Sequence, residues 1–173
     1  MPLSMFKASV TTFEIVLNAL AGVLEKGEAY AAAKKVDPSV LLGMRLAPDM
    51  FALTRQVQVA CDQAVRGGSR LAGIEPPKFE DTETTFAQLK ERIAKAIAFL
   101  KTLDAKAIEA SGDREISFPL GPKKGQMKGD DYLNLFVMPN FYFHVTAAYA
   151  ILRHAGADIG KTDFLKGIPL TIT

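Results

Sequence analysis

From Tyr132 to Leu152 the chain carries no charged side chain, yet this stretch holds Asn134, Asn140 and His144. Polar groups on an apolar helix must find partners once buried, so such residues are either structural pegs or parts of a site. Steps of four and three give Leu133, Val137, Asn140, His144, Ala147 and Ile151, which sets Asn140 and His144 one turn apart on a single helix face. An imidazole placed there can anchor the core, contact a ligand or join a metal site. A divalent metal normally takes three or more protein ligands. The chain has two histidines, His144 and His154, and the helix between them separates the pair by roughly 15 Å, too far to share an ion. The prediction is a buried His144 hydrogen-bonded to Asn140 or to a carbonyl, with no metal and no other cofactor.

Further polar candidates each have a plain alternative. Asp49, expected in the first turn of the second helix, complements the helix dipole. Arg45 before it pairs with Asp49 or Glu80, or clamps an anion. Tyr142 and Tyr149 are seven apart and project together from the last helix; core packing with a satisfied hydroxyl is the default, and proton donation to a ligand the alternative. The sequence has no GxSxG elbow and no glycine-rich phosphate loop. The expected ligand pocket lies between the second and fourth long helices, lined by Asn140, His144, Tyr149 and groups from Asp49 to Gln56.

The elements that must position these residues are helical. The first runs from about Ser4 to Lys26, its seam formed by Phe6, Val10, Phe13, Leu17, Leu20 and Leu24. A short addition over Ala29 to Lys35 ends at Asp37-Pro38. The second is expected to begin at Pro48, carry Met50, Leu53, Val57, Ala60 and Ala64, and stop at Gly67-Gly68. The third follows Asp81-Thr82, without a full capping box, and carries Phe86, Leu89, Ile93, Ile97 and Leu100. Glu115 to Leu120 alternates like a strand, and a turn over Gly121 to Gly125 leads to Gln126-Met127-Lys128, a small β-hairpin. The fourth helix opens on Asp130 and Asp131. Its second register, Leu135, Met138, Tyr142, Val145, Tyr149 and Leu152, is also apolar, so it is predicted to be the most buried of the four. Pro139 inside it predicts a bend, with the Asn140 side chain or a water on the freed carbonyl four residues before the proline.

A chain of 173 residues, 49% hydrophobic and 23% charged, fits one globular domain over 1–173. Its net charge of +2, with both signs interspersed, argues against a nucleic-acid surface. The single cysteine, Cys61, excludes an intrachain disulfide and suits a reducing compartment. Neither a signal-peptide pattern nor an uninterrupted apolar span of about 18 residues is seen, so a soluble cytoplasmic protein without a membrane role is expected. The apolar faces of the first and fourth helices exceed what four partners cover, which predicts a homodimer packed through helices.

The run from Pro139 to Gly167, P-N-F-Y-F-H-V-T-A-A-Y-A-I-L-R-H-A-G-A-D-I-G-K-T-D-F-L-K-G, resembles the C-terminal signature of a bacterial domain of unknown function, number nineteen ninety-three in its series. Met5 to Val10, Arg45 to Phe51 and Gln56 to Ala64 fit the same family. The family is similar to the DinB/YfiT-like superfamily of metalloenzymes. That resemblance implies an all-α four-helix bundle with crossover connections, often dimeric, and a metal held by three histidines, one from the second helix and two from an HxxxH pair. His144 stands for the first of the pair, but Ala148 holds the place of the second, and the second helix offers Asp49, Gln56, Gln58 and Asp62 instead. The expectation is therefore a small-molecule-binding or stress-related accessory protein that has lost the metal. The alternatives are a metal-dependent transferase or hydrolase using His144 with carboxylates, and a structural homodimer without a ligand.

Overall fold

Of four long helices, three carry the stripes that the spacing predicts, apart from Phe6 and Met50, which are not buried. In the computed structural model, which describes residues 4–171, α1 spans Lys7–Lys34 and opens with a π-helical stretch, Lys7–Thr11. The short α2 (Pro38–Gly43) precedes α3 (Leu53–Ala72) and α4 (Phe86–Leu100). Then come α5 (Ala105–Glu109), the strands β1 (Glu115–Leu120) and β2 (Lys123–Lys128), the long α6 (Gly129–Ala155) and α7 (Lys161–Phe164). Val10, Phe13, Leu17, Leu20 and Leu24 of α1 are buried against Leu53, Val57, Ala60 and Ala64 of α3 and the whole predicted stripe of α4. By length and apolarity α1 and α6 could each cross a membrane; here both turn their stripes into this shared core.

α1 packs along α4 and α6, meeting α3 chiefly at its π-helical start, while α3 packs on α4 and α6. The order around the core is therefore α1, α4, α3, α6. Consecutive long helices α1 and α3 lie across a diagonal, as do α4 and α6, so the two long links must cross the ends of the helices. The second link carries the hairpin, antiparallel with Glu115 opposite Lys128 and Leu120 opposite Lys123. The turn is shorter than expected, two residues at Gly121-Pro122. Phe118 fastens the hairpin to α6, its ring 4.9 Å from Tyr132 and 4.6 Å from Phe136.

Several predicted boundaries move, each for a physical reason. α1 continues without a break through Gly27, against which Leu152 packs. Gly67 and Gly68 do not end α3. A Cβ at Gly67 would lie 2.6 Å from Val137 Cγ1, and one at Gly68 2.7 Å from Leu103 Cδ1, so both glycines admit a close neighbour within the helix. The helix ends at Gly73, whose φ of 75° closes it in the left-handed conformation. α4 does have a capping box: Gln88 N donates to Thr85 Oγ1 at 3.2 Å, and the Gln88 side chain accepts from Thr85 N at 3.1 Å.

α6 differs most. It carries a π-helical stretch at Tyr132–Val137, where Met138 N–H reaches back five residues to Leu133 O, directly before Pro139. The wider turn adds a residue to the register. Buried positions run Leu133, Val137, Phe141 and only then His144, Ala148 and Ile151. Phe141 takes the core place expected of Asn140. Nor is α6 buried on all sides, because Leu135 is 66% exposed and Phe143 57%.

Candidate functional site

The α3–α6 seam brings Gln56 against His144. The chain ahead of α3 is not helical at Pro48 but loops across the end of that seam. Leu53 N donates to Met44 O at 2.9 Å and Arg45 Nη1 to Met50 O at 2.7 Å, holding the loop in place. Arg45 thus braces a carbonyl rather than pairing with an acid. Asp49, expected in a helical first turn, sits with Met50 and Phe51 in this loop.

Two hydrogen bonds fix the Gln56 amide. Its Nε2 donates to Phe51 O at 3.2 Å, which turns Oε1 toward His144 Nδ1 at 2.7 Å. An amide oxygen can only accept, so Nδ1 carries the proton and Nε2 of the neutral ring keeps its lone pair. Nε2 bonds to no described residue. It is not sealed either: among the described residues the buried unpaired side-chain atoms are Ser69 Oγ and Arg92 Nε. It opens on a cleft of ≈ 240 Å³ lined by Asp49, Met50, Phe51, Gln56, Phe143 and His144. Phe51 lies nearly parallel to the imidazole with centroids 6.3 Å apart, and Phe143 meets it edge-on at 5.2 Å. Burial, and then the charge of Arg55, hold the His144 pKa below its ordinary value.

The predicted residues divide. Asp49, Gln56 and His144 come together in the cleft. Asn140 does not join them or reach the carbonyl of Leu135; its Nδ2 donates to Phe136 O at 2.7 Å on its own helix. The expected His144 to Asn140 bond is thus replaced by one to Gln56, because Asn140 turns its amide to its own helix while His144 faces α3. Tyr149 packs edge-on against Phe164 at 5.7 Å, away from the cleft lining. Phe51 falls within the Asp49 to Gln56 lining that the sequence predicts, whereas Phe143 escaped the sequence reading because it lies off the core stripe. Its trace in the sequence is an aromatic residue out of register beside a polar residue in register.

A second polar centre adjoins the first. Arg92, 3% exposed, donates through Nη2 to Asp62 at 2.7 Å, pairs with Asp81 at 3.0 Å, and reaches Glu83 at 3.0 Å and Glu80 O at 3.1 Å through Nη1. Its guanidinium lies 5.6 Å from the Phe79 ring. These bonds tie the 73–85 link to α3 and α4. Burial raises the Glu83 pKa, but hydrogen bonds from Gln58 and Arg92 outweigh it and hold the carboxyl below its ordinary range. Arg55 connects the two centres: it bonds Gln58 at 3.2 Å, pairs with Asp81, and stands 5.8 Å over Phe51. Cys61 lies beneath this network, fully buried, its thiol pushed up to about 12 by burial, which makes it an inert core residue.

The donor set does not fit a protein-held divalent metal. One imidazole is present, Gln is a poor ligand for zinc or nickel, and the buried Ala148 stands one turn beyond His144. Among the described residues no three of His, Cys, Asp and Glu assemble into a possible ligand group.

Comparison with known proteins agrees with this architecture. A crystal structure of a DinB family member protein from Shewanella denitrificans aligns with a TM-score of 0.90 and 39% identity, covering 97% of this chain and 95% of that one. No functionally curated protein matches. The family described as "Domain of unknown function (DUF1993)" matches residues 5–165. With nearly its whole length inside that match and a DinB-family structure as its counterpart, the chain belongs to the DUF1993 family.

Proposed function

We propose that this protein is a metal-independent small-molecule-binding protein whose ligand enters the cleft at His144. One observation carries the reading. The Gln56 amide holds His144 Nδ1 at 2.7 Å and leaves the opposite nitrogen free to meet a ligand. The long helices are then a DinB-type four-helix bundle with crossover links in a single domain, and the lone buried Cys61 suits a cytoplasmic location. The test is elemental analysis of untagged protein alongside zinc titration of the His144 ring signals. The expected result is far less than one transition metal per chain and unmoved ring signals. About one zinc or nickel per chain, lost in His144→Ala, overturns the reading in favour of a metalloenzyme.

A second reading, a homodimer, is favoured by the exposed apolar face of α6. Leu135, Tyr142 and Phe143 are its exposed apolar residues, with the exposed Phe51 beside Phe143 at the cleft. Apolar faces of this kind mark interfaces more often than free surface. A dimer mass by light scattering that falls to monomer in Leu135→Glu/Phe143→Glu is the expected result, and a monomeric wild type at high concentration excludes it.

A further inference from the structure

The cleft side chains differ in what they can offer a ligand. His144 Nε2 accepts, the Asp49 carboxylate accepts, and of the two N–H donors on Gln56 Nε2, the one amide nitrogen in the lining, one is engaged by Phe51 O. Phe51, Phe143 and Met50 supply apolar and aromatic surface. A ligand carboxylate or phosphate would thus meet two acceptors and a single neutral N–H, while a cation would meet an anion, a lone pair and ring faces. Arg55, the cation that bears on the ring, is paired with Asp81. At ≈ 240 Å³ the space suits a small molecule.

We infer that the ligand of this cleft is a small organic amine bound in its protonated form. This inference rests on the small-molecule reading above and names its ligand class. The ammonium group donates an N–H to His144 Nε2 and faces the Asp49 carboxylate, while its apolar body lies along Phe51 and Phe143. Gln56 acts as a positioning residue, because it sets the tautomer that leaves Nε2 an acceptor.

Three probes of one shape separate the outcomes: benzylammonium, benzyl alcohol and benzoate, each titrated into the wild-type protein by calorimetry and by NMR of the labelled His144 ring. Benzylammonium is expected to bind one per chain and move the Nε2 signal, with benzoate silent and benzyl alcohol weaker. Asp49→Asn should weaken benzylammonium by about tenfold, as expected for one charge-assisted contact. Benzoate or benzyl alcohol binding as tightly as benzylammonium overturns the amine inference and leaves the cleft a binding site. Silence of all three overturns the inference and the small-molecule reading together. The ranking on wild-type protein decides even where Asp49→Asn folds poorly.

Discussion

Gln56 Oε1 and His144 Nδ1 meet at 2.7 Å across the α3–α6 seam, with the same amide held from behind by the Phe51 carbonyl at 3.2 Å. A loop, a helix and the facing helix are thus joined through one side chain. Both the stability of the seam and the chemistry of the imidazole depend on it.

Replacing Gln56 with Leu leaves the buried Nδ1–H without an acceptor and should cost about 1–3 kcal/mol in chemical denaturation. Gln56→Glu retains an acceptor and adds a charge that favours the imidazolium, so the His144 pKa should rise relative to wild type. NMR titration of the ring checks this. An unchanged His144 pKa in Gln56→Glu would mean that the contact is absent in solution.

The pH dependence follows from the direction of the His144 shift. Burial and Arg55 lower its folded pKa below 6.5, so the native state resists a proton that the unfolded chain accepts. Stability is expected to fall as pH drops below the unfolded value and to level off once the folded pKa is passed. Above neutrality this group contributes no slope. Glu83, also lowered, acts in a separate and more acidic window, where its stabilisation is lost as pH falls through its folded pKa. Denaturation curves from pH 7.5 to 5 should therefore show a slope that His144→Gln removes. A slope of equal size in that variant would assign the effect elsewhere.

Arg92→Met should be among the more damaging single changes. It leaves Asp62 buried and opposite no charge on that side, and frees the link between α3 and α4; removing one partner of such a pair costs roughly 3–5 kcal/mol. Limited proteolysis should open between Gly73 and Thr85 first. Adding Asp62→Leu is expected to restore part of the loss. A cost below about 1 kcal/mol would place the cluster with ordinary surface pairs.

Two glycines predict opposite outcomes for the same substitution. A Cβ on Gly129 would lie 2.0 Å from the Ser111 carbonyl oxygen, whereas one on Gly22, inside α1, meets nothing within 4 Å. Gly129→Ala must displace backbone at the start of α6, with a loss of about 1–3 kcal/mol or more. Gly22→Ala should stabilise by roughly 0.5–1 kcal/mol through helix propensity. Thermal unfolding of the two variants makes the comparison.

The helical stripes were readable in the sequence because burial on one side of a regular helix forces a three-four spacing. Phe86, Leu89, Ile93, Ile97 and Leu100 are all buried as that rule requires. The hairpin was readable from alternation and from Gly121-Pro122. Contacts between distant segments were not. Nothing local in Gln56 tells that its amide will face His144, since that depends on which helices adjoin across two diagonal links. Gly67-Gly68 looked like a stop because the alternative, a neighbour pressed against the helix, is set by Val137 and Leu103 elsewhere in the chain. Asn140 was misplaced because a strict α-helical count cannot register the wide turn before Pro139.

That wide turn in α6 also decides where the chain can change length. A π-helical stretch carries one residue more than an α-helix needs over the same rise, and both flanks still face the core. Deleting Leu135, exposed on the outer side of Tyr132–Val137, would let the segment close into ordinary α-helix with Leu133 still inward and His144 still opposite Gln56. The same deletion at Thr146 has no such slack to absorb it. It would turn the remainder of the helix by about 100°, carry Ile151 out to the half-buried place of Ala150 and bring Arg153 into the buried place of Leu152. Relatives that differ by a single residue in this helix should therefore have gained or lost it between Tyr132 and Val137.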